Sequence, residues 1–139
     1  MINNLRDGLY NQTLLANASG HNHLSIVTFL LQHYHDVIDV WAVDEVGQNA
    51  YHLAAMMDHV DVMKLLLNFD RSGLDVGDNI NGWTPLHWAA DENNKRMVEM
   101  LLGAGADVNV VDNKGRTPDR MHEDVSSEIR DMIQQHRKK

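Results

Sequence analysis

The chain has 139 residues, 43% hydrophobic and 23% charged, with no cysteine and a formal net charge of −8. That length suffices for one domain with its own core, and the missing cysteines exclude disulfides and thiolate metal sites. No apolar run nears the roughly 20 residues that span a bilayer, and the opening MINNLRDG has neither the basic nor the apolar region of a signal peptide, so a cytoplasmic or nuclear location is expected.

The charge is uneven. Residues 1–63 hold one basic residue, Arg6, against Asp7, Asp36, Asp39, Asp44, Glu45, Asp58 and Asp61, so that half carries −6. An acidic surface repels phosphate backbones, which argues against nucleic acid as a partner. The terminal Arg137-Lys138-Lys139 reads as a complement to a helix C-terminus.

Residues 1–12 are too few for a structural unit like those that follow; they read as a frayed end or the edge of a longer chain. Thr13 is a fit N-cap for a first helix, and Val27, Leu30 and Leu31 give an apolar stripe to a second. A link of about 15 residues leads to Gly47, and Trp41 is expected to fill the space under it. From Gly47 the pattern returns, with Asn49 as cap and His59, Val62, Leu65, Leu66 and Leu67 on the second helix. Residues 68–81 are rich in Asp, Asn, Ser and Gly, the chemistry of turns.

Gly82 opens the clearest unit, GWTPLHWAADENNKRMVEMLLGAGADVNVVD. Thr84 is placed to accept a backbone N–H at a helix start, and Pro85 suits the first helical position. Ala89 and Ala90 let helices approach closely. Met97, Val98, Leu101 and Leu102 form one apolar stripe, and Gly105 permits the positive φ that ends a helix. Gly115 follows Gly82 at 33 residues, and Thr117-Pro118 repeats Thr84-Pro85 at the same offset. A fixed period in this range is the mark of a stacked repeat. The last unit departs after Pro118, and Val125, Ile129, Met132 and Ile133 then give a one-sided stripe. Its opposite face, with Ser126, Ser127, Arg130, Asp131 and Gln134, is polar, as the end of a stack in water requires.

This stretch resembles the ankyrin repeat. Gly82, Thr84, Pro85, Leu86, His87, Ala89, Ala90, Val98, Leu101, Leu102, Gly105, Ala106, Asp107 and Asn109 all match that family's pattern. The resemblance implies an all-α solenoid of stacked helix-turn-helix units joined by β-hairpin or finger loops. It places a single domain on residues 1–139, with repeats at about 11–46, 47–81, 82–114 and 115–136 after an N-terminal extension of 1–10. In this family His52 and His87 bond back to their own helix starts, and partners are touched by the fingertips and the inner helix face. Carried over, the protein-binding positions are Val46, Gln48, Met56, Met57, Ile80, Asn81, Trp83, Trp88, Asp91, Glu92, Lys114 and Arg116, with Trp83, Trp88, Met56 and Met57 expected to line one concave strip.

The expected function is non-enzymatic binding of another protein by a monomer, with no cofactor, metal, nucleic acid or membrane. No Gly-rich phosphate loop, GxSxG or cysteine nucleophile is present, and GAGAD (103–107) ends a helix instead of opening one. Nine histidines raise a metal reading, but His21-Asn-His23 and His33-Tyr-His35 lack the three or four converging ligands of a zinc site. Repeat three and the long links are also similar to inhibitors of Rel/NF-kappaB transcription factors; a regulatory or self-association segment of a larger protein is the further alternative. Asn109 matches the position that asparaginyl hydroxylases modify in some ankyrin repeats.

Overall fold

The computed structural model describes Arg6 and residues 12–138; apart from Arg6, the expected extension at 1–10 lies outside the described residues. Helices pair along the chain: α1 (Leu14–Gly20) with α2 (Leu24–His33), α3 (Ala50–Met56) with α4 (Val60–Phe69), and α5 (Pro85–Asp91) with α6 (Lys95–Gly103). A 3₁₀ turn (Pro118–Arg120) and α7 (Ser127–Arg137) complete the stack. Among the described residues there is no strand; the fingers are hydrogen-bonded turns.

The first helix of each pair is started by a side chain. Thr13 accepts from the Ala16 N–H, Asn49 from those of Tyr51 and His52, and Thr84 from that of His87, with Pro85 at the first helical position. The second helices follow a tight turn through Asn22, Asp58 and Asn93, whose φ values of 59°, 57° and 56° lie in the left-handed region that Asn and Asp tolerate best. The next residue then reaches back to the preceding repeat. His59 Nε2 meets the Gly20 carbonyl at 3.1 Å, and Asn94 Nδ2 donates to the Ala55 carbonyl at 3.2 Å.

Two layers result: α1, α3, α5 and the 3₁₀ turn stack as the inner row, and α2, α4, α6 and α7 as the outer. Ala16, Ala18, Ala54, Ala55, Ala89 and Ala90 are buried where the inner helices meet their neighbours. Between the rows lie Val27, Leu30, Val62, Met63, Leu66, Met97, Val98, Leu101, Ile129 and Ile133, all buried. Each large side chain so removed from water stabilises by about 1.5–3 kcal/mol before chain entropy is counted. Trp41 fills the space beneath the long links. Its ring stacks on Tyr51 at 4.0 Å, its N–H donates to Asp70 at 2.9 Å, and a Cβ at Gly73 would come within 2.9 Å of it. The Tyr51 hydroxyl donates to the Leu66 and Asp70 carbonyls; burial, then the Asp70 carboxylate, pushes its pKa up.

The last unit corrects one expectation. Arg137 does more than complement a helix end: it binds the buried Asp119 carboxylate through both terminal nitrogens, at 2.8 and 3.1 Å, and the Val108 carbonyl at 3.1 Å. Burial alone would raise the Asp119 pKa, but Arg137 and the Thr117 hydroxyl bring it down to about 2. On the polar face of α7, Ser126 and Arg130 also tie the helix to its neighbours. Ser126 caps α7 and its N–H donates to Asn93, while Arg130 donates to the His122 carbonyl.

Candidate protein-binding surface

Three fingers rise before the inner helices, each built on one buried aspartate: Asp44, Asp78 and Asp112, 7%, 4% and 5% exposed. One carboxylate oxygen of each gathers the N–H groups of its own turn. Asp44 accepts from Val46 and Gln48, Asp78 from Ile80, Asn81 and Trp83, and Asp112 from Lys114 and Arg116. The other oxygen takes a side-chain donor: Gln12 for Asp44, Trp88 for Asp78, and both Trp83 and Arg116 for Asp112. A buried carboxylate without donors costs several kcal/mol, so this supply is what lets the turns exist. For Asp112, burial opposes ionisation, and the bonds from Arg116, Trp83 and the Lys114 N–H hold it well below the usual carboxylate range.

Gly82 closes its finger at φ +72°, and a Cβ there would stand 2.5 Å from the Asn113 side-chain oxygen of the next finger. Adjacent tips are joined by Asn79 N–H to the Val46 carbonyl and Asn113 N–H to the Asn81 carbonyl, both at 2.9 Å. The tips therefore form one continuous row. The histidines fix that row to the helices. His52 and His87 accept the Asn49 and Thr84 N–H groups at Nδ1, as the resemblance implies, and their Nε2 atoms donate onward to the Val76 and Arg116 carbonyls. Burial lowers both pKa values, so both rings are neutral.

Of the expected binding positions, Val46, Ile80 and Lys114 stand exposed on the tips. Asn81 is half-buried, its backbone committed to the finger. Met57 and Glu92 are exposed at the far ends of α3 and α5, and half-buried Met56 packs against the core. Asn109 is exposed, and its side-chain oxygen accepts from Arg137 Nε at 2.9 Å. The single concave strip does not form. Trp83 is buried, 8% exposed, because its N–H is drawn to Asp112. Trp88 is half-buried, set edge-on to Trp83 at 4.7 Å with its N–H on Asp78. Gln48 is buried, Arg116 is spent on Asp112 and the Met121 carbonyl, and Asp91 is paired with His122. What remains open is a fingertip row (Val46, Ile80, Lys114) and a helix-end row (Met57, Glu92).

The three finger aspartates escaped the sequence reading. Their signal was there: Asp44, Asp78 and Asp112 recur at 34 residues, each three or four before a glycine.

With this geometry in place, the chain compares as follows with known proteins. The family model described as ankyrin repeats, in three copies, matches residues 15–112. Over 97 residues the chain is 35% identical to ankyrin repeat protein nuc-2 of Neurospora crassa, covering 70% of this chain and 9% of that protein. Over 67 residues it is 42% identical to ankyrin repeat domain-containing protein 40 of Homo sapiens, covering 47% and 17% respectively. A glycerophosphocholine phosphodiesterase of Candida albicans is 32% identical over 76 residues, which is 55% of this chain and 6% of that enzyme. The chain thus spans less than a fifth of each of these relatives.

Proposed function

We infer that this chain, which belongs to the ankyrin-repeat family, is a non-enzymatic module that grips another protein by its fingertips and the ends of its inner helices. Ankyrin repeats generally mediate binding to other proteins. The observation that carries the reading is the state of Ile80 and Met57. They are 51% and 53% exposed, on a scaffold that commits the Trp83, Trp88 and Arg116 side chains to its own finger aspartates and buries Gln48. Neither side chain belongs to the core, and exposed apolar groups beside polar ones are the material of binding surfaces. Lys114 and Glu92 add one charge of each sign to the two rows.

The partner is a polypeptide, met by the chain as a monomer in the cytoplasm or nucleus, with neither nucleic acid nor membrane involved. No helix among the described residues is long and apolar enough to cross a membrane. The acidic amino-terminal half favours a partner segment with basic residues. A Rel-type transcription factor is one protein of that chemistry, and a neighbouring segment of a larger protein is another. Exposure of Asn109 also supports hydroxylation there; intact-mass measurement after incubation with an asparaginyl hydroxylase tests it.

The test of the main reading is affinity capture from the native cell, followed by hydrogen exchange of the complex. Protection is expected at 46–48, 79–81, 113–115 and around Met57. Protection confined to α4 and α6 would contradict it.

A further inference from the structure

The amino-terminal edge of the stack carries an apolar face that the chain's described residues leave open. The caps His23, His59 and Asn94 bring the three outer helices into register. Ile26 on α2 then takes the place of Val62 on α4 and Met97 on α6. Val62 and Met97 are 0% exposed, whereas Ile26 is 41% exposed. Phe29 takes the place of Leu65 and Met100, which are half-buried against the core, yet it is 51% exposed. Its ring touches those of His33, at 4.7 Å, and Tyr34, at 5.9 Å. Ile26, Phe29 and His33 fall at i, i+3 and i+7, on one side of the helix. α2, LSIVTFLLQH, holds no Asp, Glu, Lys or Arg, and six of its ten residues are apolar, beside a polar side of Ser25, Thr28 and Gln32.

We propose that this face docks an amphipathic helix of a partner protein, apolar along one side and basic along its flanks, which adds one more member to the outer row. The occupant's shape follows from the stack, since neighbouring outer helices pack on one another from α2 through α7. Its charge follows from the surroundings. Residues 1–63 hold seven acidic side chains, of which Asp44 is buried in its finger, and one basic, Arg6, whose guanidinium is turned to the Val43 carbonyl at 2.9 Å; Asp36, exposed and paired with His35, stands just beyond α2. A second copy of this chain would bring a like-charged half against this one, which charge repulsion disfavours.

The probe is a fluorescent peptide of about 18 residues, long enough to form a docked helix, with leucines at i, i+3, i+4 and i+7 and lysine flanks. A matched peptide carries glutamate flanks. Titrated with the full chain, the lysine peptide binds, and the variant Ile26→Ser/Phe29→Ser weakens it at least about tenfold. That variant leaves net charge unchanged, so purely electrostatic adhesion would not respond to it. Val76→Ser, an exposed apolar position elsewhere, leaves binding as it was, and the melting temperatures of both variants report that they fold. Four results would each overturn the proposal: undiminished binding by the double variant; equal binding of the glutamate peptide; sedimentation as a dimer that the double variant dissociates; or binding that appears only once residues 1–11 are removed, which would assign the face to the chain's own amino-terminal segment.

Discussion

Trp83 donates its indole N–H to the buried carboxylate of Asp112, 29 residues ahead and 3.0 Å away. A tryptophan that sequence reasoning assigns to partner contact thus holds the base of the next repeat's finger. Trp83→Phe keeps most of the ring and removes the donor. Urea denaturation should show a loss of about 1–2 kcal/mol, the cost of a buried acceptor left short of a partner. Partner affinity should be unmoved.

Arg137 is the second long-range tie. Its partner Asp119 has no exposed side-chain surface, while Arg137 remains a quarter exposed. Arg137→Ala should cost about 2–3 kcal/mol in the same denaturation experiment, below the roughly 3–5 kcal/mol of a fully buried pair broken on one side. Lys138→Ala, one residue on and exposed, should be neutral.

Acid should weaken the fold in two windows. Burial lowers the His52 and His87 pKa values below 6.5 in the folded chain. The unfolded chain therefore takes up protons first. Their contribution is complete above about pH 6.5 and falls, by up to about 1.4 kcal/mol per pH unit for each, as pH drops toward the folded values. Asp119, brought down from 3.8 to about 2, contributes fully above about pH 4 and is lost as pH falls toward 2. Urea midpoints measured from pH 7.5 to 5 should decline, and His87→Gln should flatten that decline.

Stability should also grade along the stack. Repeat one has neither a proline at its first helix nor the histidine that ties Asn49 to Val76 or Thr84 to Arg116 in the later repeats, and Ile26 and Phe29 on α2 are exposed. Hydrogen exchange should show residues 14–31 opening before residues 85–102. Equal protection of both would contradict this.

What was legible in the sequence was local and periodic. Thr84, Pro85 and Gly105 announce a helix's start and end because caps and left-handed residues act within one turn. Met97, Val98, Leu101 and Leu102 announce a buried stripe for the same reason. The positions that misled are those settled across repeats. Nothing near Trp83 in the chain shows that Asp112 will claim its N–H, nor near Arg137 that Asp119 lies buried beneath it. Trp41 was readable, since a long link over a small turn leaves a space that an aromatic ring fills. The exposure of Ile26 was hidden because it looks like any stripe residue until its burial is set beside that of Val62 and Met97.

The central claim is that the exposed fingertip and helix-end side chains bind the partner while Trp83 and Trp88 serve the scaffold. The direct test is the dissociation constant of the captured partner for wild type and for Met57→Ala/Ile80→Ala, with melting temperatures measured alongside. The account predicts affinity lower by about 2 kcal/mol or more, roughly thirtyfold, at an unchanged melting temperature. An unchanged dissociation constant in that variant would contradict it.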